Sequence, residues 1–278
     1  MTRDRKLHTP FRTWGLVILL VLGVPASAVA DWEVYVAGGL GISLAEGNAV
    51  GRQSPTLVPI GGEDSDGSPM LDGIVGLEIP MDELVPREML LDVRLPDWPV
   101  RLELEAAGLR EYELRNFFGT DLFFTEIETT TAFFNVWLDI PLTSIYRPVQ
   151  YTFGLGRQPR IRQWLEPANF YFGVGVGYAH TDLKGTSNSG SASKEFDEFA
   201  WNAGTGFNYA LTDAVDLSLG YRFVCLAGEQ CMATDEGFEL TPTGGGAANT
   251  DYLEYDLLAH EVRVQVRVEV YEFLSPWR

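Results

Sequence analysis

The sequence predicts an all-β chain, an eight-stranded antiparallel up-and-down transmembrane β-barrel. Three observations carry that reading. Period-two alternation recurs in eight stretches; in five of them the apolar face takes five positions within nine residues; and most connections at one end are long and polar. About nine to eleven tilted residues cross a hydrocarbon core, while a soluble strand is nearer 5–6.

Residues 1–30 stand apart from the fold. Arg3, Arg5, Lys6 and Arg12 form a basic start, Trp14 to Val24 is an apolar run of eleven residues, and Ala28-Val29-Ala30 supplies small residues for a signal peptidase. That order of parts is a secretory signal peptide. The run is shorter than the ~20 residues of a membrane-spanning helix. Cleavage is expected after Ala30, which leaves residues 31–278 as the barrel, with 16 basic and 38 acidic residues and a net charge of −22. Such a charge excludes nucleic acid as a partner, because phosphates need Lys and Arg. It suits a surface that meets divalent cations.

In the first strand Trp32, Val34, Val36, Gly38, Leu40, Ile42 and Leu44 alternate with Glu33, Tyr35, Ala37, Gly39, Gly41 and Ser43. The second is less clean, with Val75, Leu77 and Ile79 against Ile74, Gly76 and Glu78. The third sets Leu102, Leu104 and Ala106 against Arg101, Glu103, Glu105 and Ala107, and the fourth sets Phe134, Val136, Leu138 and Ile140 against Phe133, Asn135, Trp137 and Asp139. The fifth spans Phe170–Tyr178, the sixth Phe199–Tyr209 and the seventh Val215–Phe223. The eighth is the most regular, with Val262, Val264, Val266, Val268 and Val270 against Glu261, Arg263, Gln265, Arg267 and Glu269. Each stretch has two unlike faces.

With the N-terminus in the periplasm, residues 45–71, 115–128, 181–196 and 227–254 are expected as external loops, and Leu211-Thr212-Asp213 as a tight periplasmic turn. Residues 80–99 and 141–168 are long for periplasmic turns. The first carries Asp82, Glu83, Glu88, Asp92 and Asp97, the second Arg147, Arg157, Arg160 and Arg162, and opposite charges there predict a rim cap.

The inward set is Glu78, Glu103, Glu105, Asp139, Arg222, Arg263 and Arg267. A charge removed from bulk water must be paired or hydrated. The set is expected to plug the lumen, since eight strands leave room only for side chains. Counting from the periplasmic ends puts Arg267 nearest Glu105 and Arg222 higher. An exported chain meets an oxidising compartment, so Cys225 and Cys231 are expected to form a disulfide.

His180 and His260 fall on the outward face. His180 is followed two positions later by Asp182 and His260 by Val262, so neither carries a nucleophile beside it in sequence. Glu63-Asp64-Ser65-Asp66-Gly67 is faintly like a calcium loop, without the downstream Glu. Gly173, Gly175 and Gly177 alternate within a strand and precede no helix, so they are not a phosphate loop. No catalytic residue, metal site or cofactor is expected.

Five segments carry a family resemblance: Arg101–Glu105, Phe134–Pro141, Phe172–Tyr178, Trp201–Phe223 with its Leu211-Thr212-Asp213 turn, and His260–Val270. In that order they resemble strands three to eight of the opacity-protein and surface-antigen barrels, which are similar to the barrel domain of outer-membrane protein A. The chain departs from them in running on past the last strand through Glu272 to Arg278. The resemblance implies the outer membrane of a Gram-negative cell, with outer-membrane lipid and lipopolysaccharide as surroundings. It names no ligand or oligomeric state.

The first functional reading is a non-enzymatic barrel that presents acidic surface loops, for envelope integrity or surface contact, with divalent cations as partners there. A small gated channel through the lumen is the second, and an interfacial enzyme on lipopolysaccharide the third. A soluble, lipocalin-like barrel with the valine face inside is the fourth.

Overall fold

The computed structural model describes residues 32–53, 58–84, 96, 98–118, 121–146, 159–187, 190–228, 231, 238–240 and 251–270. The expected signal peptide and the segment after the last strand lie outside these residues.

Nine strands follow one another: β1 Glu33–Gln53, β2 Val58–Pro80, β3 Pro99–Phe118, β4 Asp121–Pro141, β5 Ala168–Ser187, β6 Gly190–Thr212, β7 Val215–Ala227, β8 Phe238–Leu240 and β9 Asp251–Glu269. Every neighbouring pair is antiparallel, the order is β1 to β7 then β9, and β1 pairs with β9. Eight strands therefore close into a barrel; β8 is a three-residue addition against the upper end of β9. Short helices, Met81–Leu84 and Pro159–Leu165, lie at the end of the barrel where β1 begins.

Lower in the barrel the faces are the expected ones. Val262, Val264 and Val266 are about half exposed on the outside, while Glu261, Arg263, Gln265 and Arg267 between them are buried. The outward band continues through Leu40, Ile42, Leu104, Phe134, Val136, Phe172, Val174, Val176, Phe207 and Leu219. An apolar belt this continuous belongs in lipid. It also removes the lipocalin-like arrangement, which needs the valines inside.

The external connections differ from expectation. Most of the residues read as loops continue the strands: β1 and β2 pair as far as Gln53↔Val58, β3 and β4 to Phe118↔Asp121, and β5 and β6 to Ser187↔Gly190. They read as loops because their polarity inverts. On β4 the outward side changes from Leu138, Val136, Phe134 and Ala132 to Thr130, Glu128 and Glu126, while the inward side carries the buried Ile127. On β3 the inversion uses a bulge. The register slips between Ala107 and Arg110, with Leu109 in the left-handed region at φ 63°. Odd residues Arg101, Glu103 and Glu105 point inward below it, and even residues Arg110, Tyr112 and Leu114 point inward above it. A bulge adds one residue to one strand and so exchanges its faces.

Above the lipid belt the barrel parts into two blades. The β2–β3 ladder stops at Leu71↔Gly108, and the β6–β7 ladder at Trp201↔Cys225. One blade is β3–β6, the other β2, β1, β9 and β8. Between them lies a buried apolar core that includes Ala45, Tyr112, Leu114, Ile127, Leu183, Leu226 and Leu257. Gly47 is required where Leu114 packs: a Cβ there would overlap the leucine side chain.

Cys225 and Cys231 are joined by a disulfide with Cα atoms 5.3 Å apart, and Gly228 turns the chain between them at φ +100°. A ring this small stabilises by about 2 kcal/mol. Replacing both cysteines by serine is expected to lower unfolding stability by that amount and leave the barrel intact. Equal denaturant midpoints for the two proteins would contradict it.

Candidate functional site: the charged lumen and its acidic crown

The lumen is filled by an ion-pair lattice built from residues of five strands, β2, β3, β4, β7 and β9. Nearest the end where β1 begins, Arg267 of β9 donates from Nη1 to Glu78 of β2 at 2.7 Å and from Nε to Asp216 of β7 at 2.7 Å. Its guanidinium lies 4.8 Å from the Tyr35 ring centre. In the middle, Arg101 bonds Glu103 at 2.7 Å and Asp139 at 3.0 Å. Glu103 also accepts from the Tyr35 hydroxyl at 2.6 Å and the Trp137 indole at 2.7 Å. Asn208 donates to Asp139 at 3.0 Å.

The upper part centres on Arg222, fully buried on β7. It reaches Glu105 of β3 at 2.6 Å and Glu261 of β9 at 2.7 Å. Glu105 is also met by Arg263 at 2.9 Å and the Asn135 amide at 3.0 Å. Glu261 is shared with Arg110 at 2.8 Å. Asp72 accepts from Gln265 at 3.0 Å and lies 3.5 Å from Arg263. Gly175 makes room here, since a Cβ would overlap the Asn135 side chain. Directly above, the apolar core between the blades forms a second layer across the lumen.

All seven expected lumen residues point inside: Glu78, Glu103, Glu105, Asp139, Arg222, Arg263 and Arg267. The lattice also takes Arg101, Arg110, Asp72, Asp216 and Glu261. Arg101, Asp216 and Glu261 share the inward phase of their strands and were legible on that ground. Asp72 precedes the alternating stretch of β2, and Arg110 follows the bulge, which no parity count anticipates.

One pairing is corrected. Arg267 does not meet Glu105, although the two share a register row: Arg267↔Ala37, Ala37↔Ile74, Ile74↔Glu105. Rows run across strands that tilt by about 35–45° in a barrel, so a row climbs as it crosses them. Glu105 therefore stands higher than Arg267, at the depth of Arg263, four residues further up β9.

Outside, the crown is acidic. Glu111, Glu128, Asp182 and Glu195 form one row across β3, β4, β5 and β6. Lys184 reaches Glu128 at 3.1 Å, and that bond raises its pKa. Below the row, His180 holds Asp197 at 2.6 Å. The hydroxyl of Tyr178 and the His180 ring keep Asp197 below the usual carboxylate range. His260 bonds the Tyr221 hydroxyl at 2.7 Å.

The Glu63–Gly67 segment is strand, and Asp64 and Asp66 accept backbone N–H groups of β3. Among the described residues no group of three His, Cys, Asp or Glu could hold a metal ion. The expected rim cap falls mostly outside the described residues; Arg162 lies 3.5 Å from Glu166 of its own turn.

Glu105→Gln leaves Arg222 with only Glu261, which Arg110 shares, and Arg263 with only Asp72 at 3.5 Å, and is expected to cost about 3–5 kcal/mol. Glu78→Gln, nearer the open end with Asp216 still on Arg267, is expected to cost about 1–2 kcal/mol. Denaturant unfolding in micelles measures both, and the reverse order would contradict the assigned partners.

The outer membrane protein beta-barrel domain matches residues 15–241. Among solved structures, Neisserial surface protein A is 14% identical, with 85% of this chain and 96% of that chain covered and a TM-score of 0.33. OprG from Pseudomonas aeruginosa is 13% identical over 84% of this chain and 95% of that one, TM-score 0.40. Ail, the attachment invasion locus protein of Yersinia pestis, is 10% identical over 81% and 98%, TM-score 0.27. No curated protein matches. The domain match takes in most of the chain, which belongs to the outer membrane protein β-barrel family.

Proposed function

We propose that the chain is a non-enzymatic, non-conducting barrel of the Gram-negative outer membrane. It works through its acidic crown, which meets lipopolysaccharide phosphates by way of divalent cations and so strengthens the envelope. The observation that carries this reading is the carboxylate row Glu111, Glu128, Asp182 and Glu195. On β4, β5 and β6 it stands four residues beyond the last strongly apolar row, Ala132, Tyr178 and Phe199, with only Thr130, His180 and Asp197 as outward residues between. The row starts just above the apolar band on β3 and climbs toward β6 with the tilt of the strands. Like charges directly opposite one another on neighbouring strands repel. A divalent cation relieves that repulsion and, because lipid A phosphates are also anionic, joins the two surfaces. Glu46, Glu63, Asp64 and Asp256 line a further cleft on β1, β2 and β9.

The test is thermal unfolding of the barrel in bilayers containing lipopolysaccharide, with Mg2+ or with a chelator. Mg2+ is expected to raise the midpoint, and the fourfold variant Glu111→Gln, Glu128→Gln, Asp182→Asn and Glu195→Gln to lose that rise. A wild-type midpoint indifferent to Mg2+ would remove the proposal. In planar bilayers the wild type is expected to show no steady conductance, because charged and apolar layers fill the lumen in series. A large stable conductance would favour the channel reading instead.

A further inference from the structure

The early end of the β2–β3 ladder leaves a row of backbone donors on β3. Below the break the two strands pair from Pro80↔Pro99 to Leu71↔Gly108. Above it β2 continues against β1, and β3 against β4. The N–H groups of Glu111, Glu113 and Arg115 point into the seam between them. Their acceptors are side chains of β2: Ser68 Oγ at 2.8 Å, Asp66 Oδ2 at 2.8 Å and Asp64 Oδ2 at 2.6 Å. These acceptors recur every second residue, as the carbonyls of a neighbouring strand do. Ser68, Asp66 and Asp64 occupy the place of an absent strand.

We propose that this seam is a strand-addition site for an extended peptide with Lys or Arg at alternate positions. An unpaired strand edge is a template for another chain, and main-chain bonds supply the affinity while side chains select the partner. Addition hands the three N–H donors to peptide carbonyls and frees Asp64 and Asp66. With Glu63, Glu111 and Glu113 they set five carboxylates beside one cation, Arg115, among the described residues of the seam. That balance selects a basic strand and repels an acidic one. The seam begins beside the exposed Leu71 and Leu109, at the top of the apolar band, and rises from there into water. The Ser43–Tyr112 bond at 2.7 Å ties β3 to β1 through the lumen, so the upper part of β2 is the element that gives way.

The test uses the full barrel in micelles with a short peptide of alternating Lys and Val, and its counterpart with Glu in place of Lys. The Lys peptide is expected to bind and the Glu peptide not. Glu113→Pro removes one seam donor while sparing the N–H groups of Tyr112 and Leu114 that face β4. It is expected to weaken binding about tenfold, the loss of one backbone hydrogen bond and its fit. Glu113→Gln keeps the donor and is expected to weaken binding less. Equal binding by the two variants would reduce the contact to surface charge and overturn the proposal. So would failure of the Lys peptide to bind, or a peptide-free dimer that Glu113→Pro dissolves. Should Glu113→Pro not fold, amide exchange in the wild type decides: slowed exchange at Glu111, Glu113 and Arg115 on adding the Lys peptide supports strand addition, and unchanged exchange refutes it.

Discussion

Arg222 is buried between Glu105 and Glu261, and through that one guanidinium β3, β7 and β9 are held together across the lumen. The rest of the barrel follows from the need to keep such charges paired. A buried ion pair contributes little net stability against an apolar filling, but losing one partner is costly. The lattice therefore acts as a constraint on register. Sliding one strand by two residues would keep every side chain on its face and still leave an arginine facing no carboxylate. Closure of the sheet satisfies the backbone in lipid, and the lattice selects which of the closed arrangements survives.

The second constraint is the inversion of polarity along β3 and β4. In the membrane the outside is apolar and the inside charged; above it the outside is charged and the inside apolar. The same period-two strand serves both solvents, and β3 makes the change with a single bulge at Leu109. The crown thus has its own packed core and is not a set of loose connections. A firm carboxylate row can hold cations at fixed spacings, which flexible loops would do with a larger loss of conformational entropy.

Much of this was legible in the sequence, because alternation survives translation into structure wherever lipid and lumen differ. Val262, Val264 and Val266 against Arg263 and Arg267 fixed both faces of β9, and Glu103 and Glu105 those of β3. The crown was hidden for the opposite reason. Gly, Ser and acidic residues at positions 45–71 have the composition of a loop, and only pairing with a neighbour shows them to be strand. Arg110 was lost at the bulge, where parity changes without a sequence mark. The mistaken Arg267–Glu105 pairing came from equating register with depth, which holds in a flat sheet and fails in a tilted one.

The central claim is that lumen arginines and carboxylates act as specific pairs, with Arg222 and Glu105 the foremost of them. A double-mutant cycle on Arg222→Met and Glu105→Gln, read by denaturant unfolding in micelles, tests it most directly. The account predicts that each single substitution is strongly destabilising and that the double variant is more stable than the sum of the two, by about 1–3 kcal/mol of coupling. Additive losses would show that the two side chains do not depend on each other, and would contradict the account.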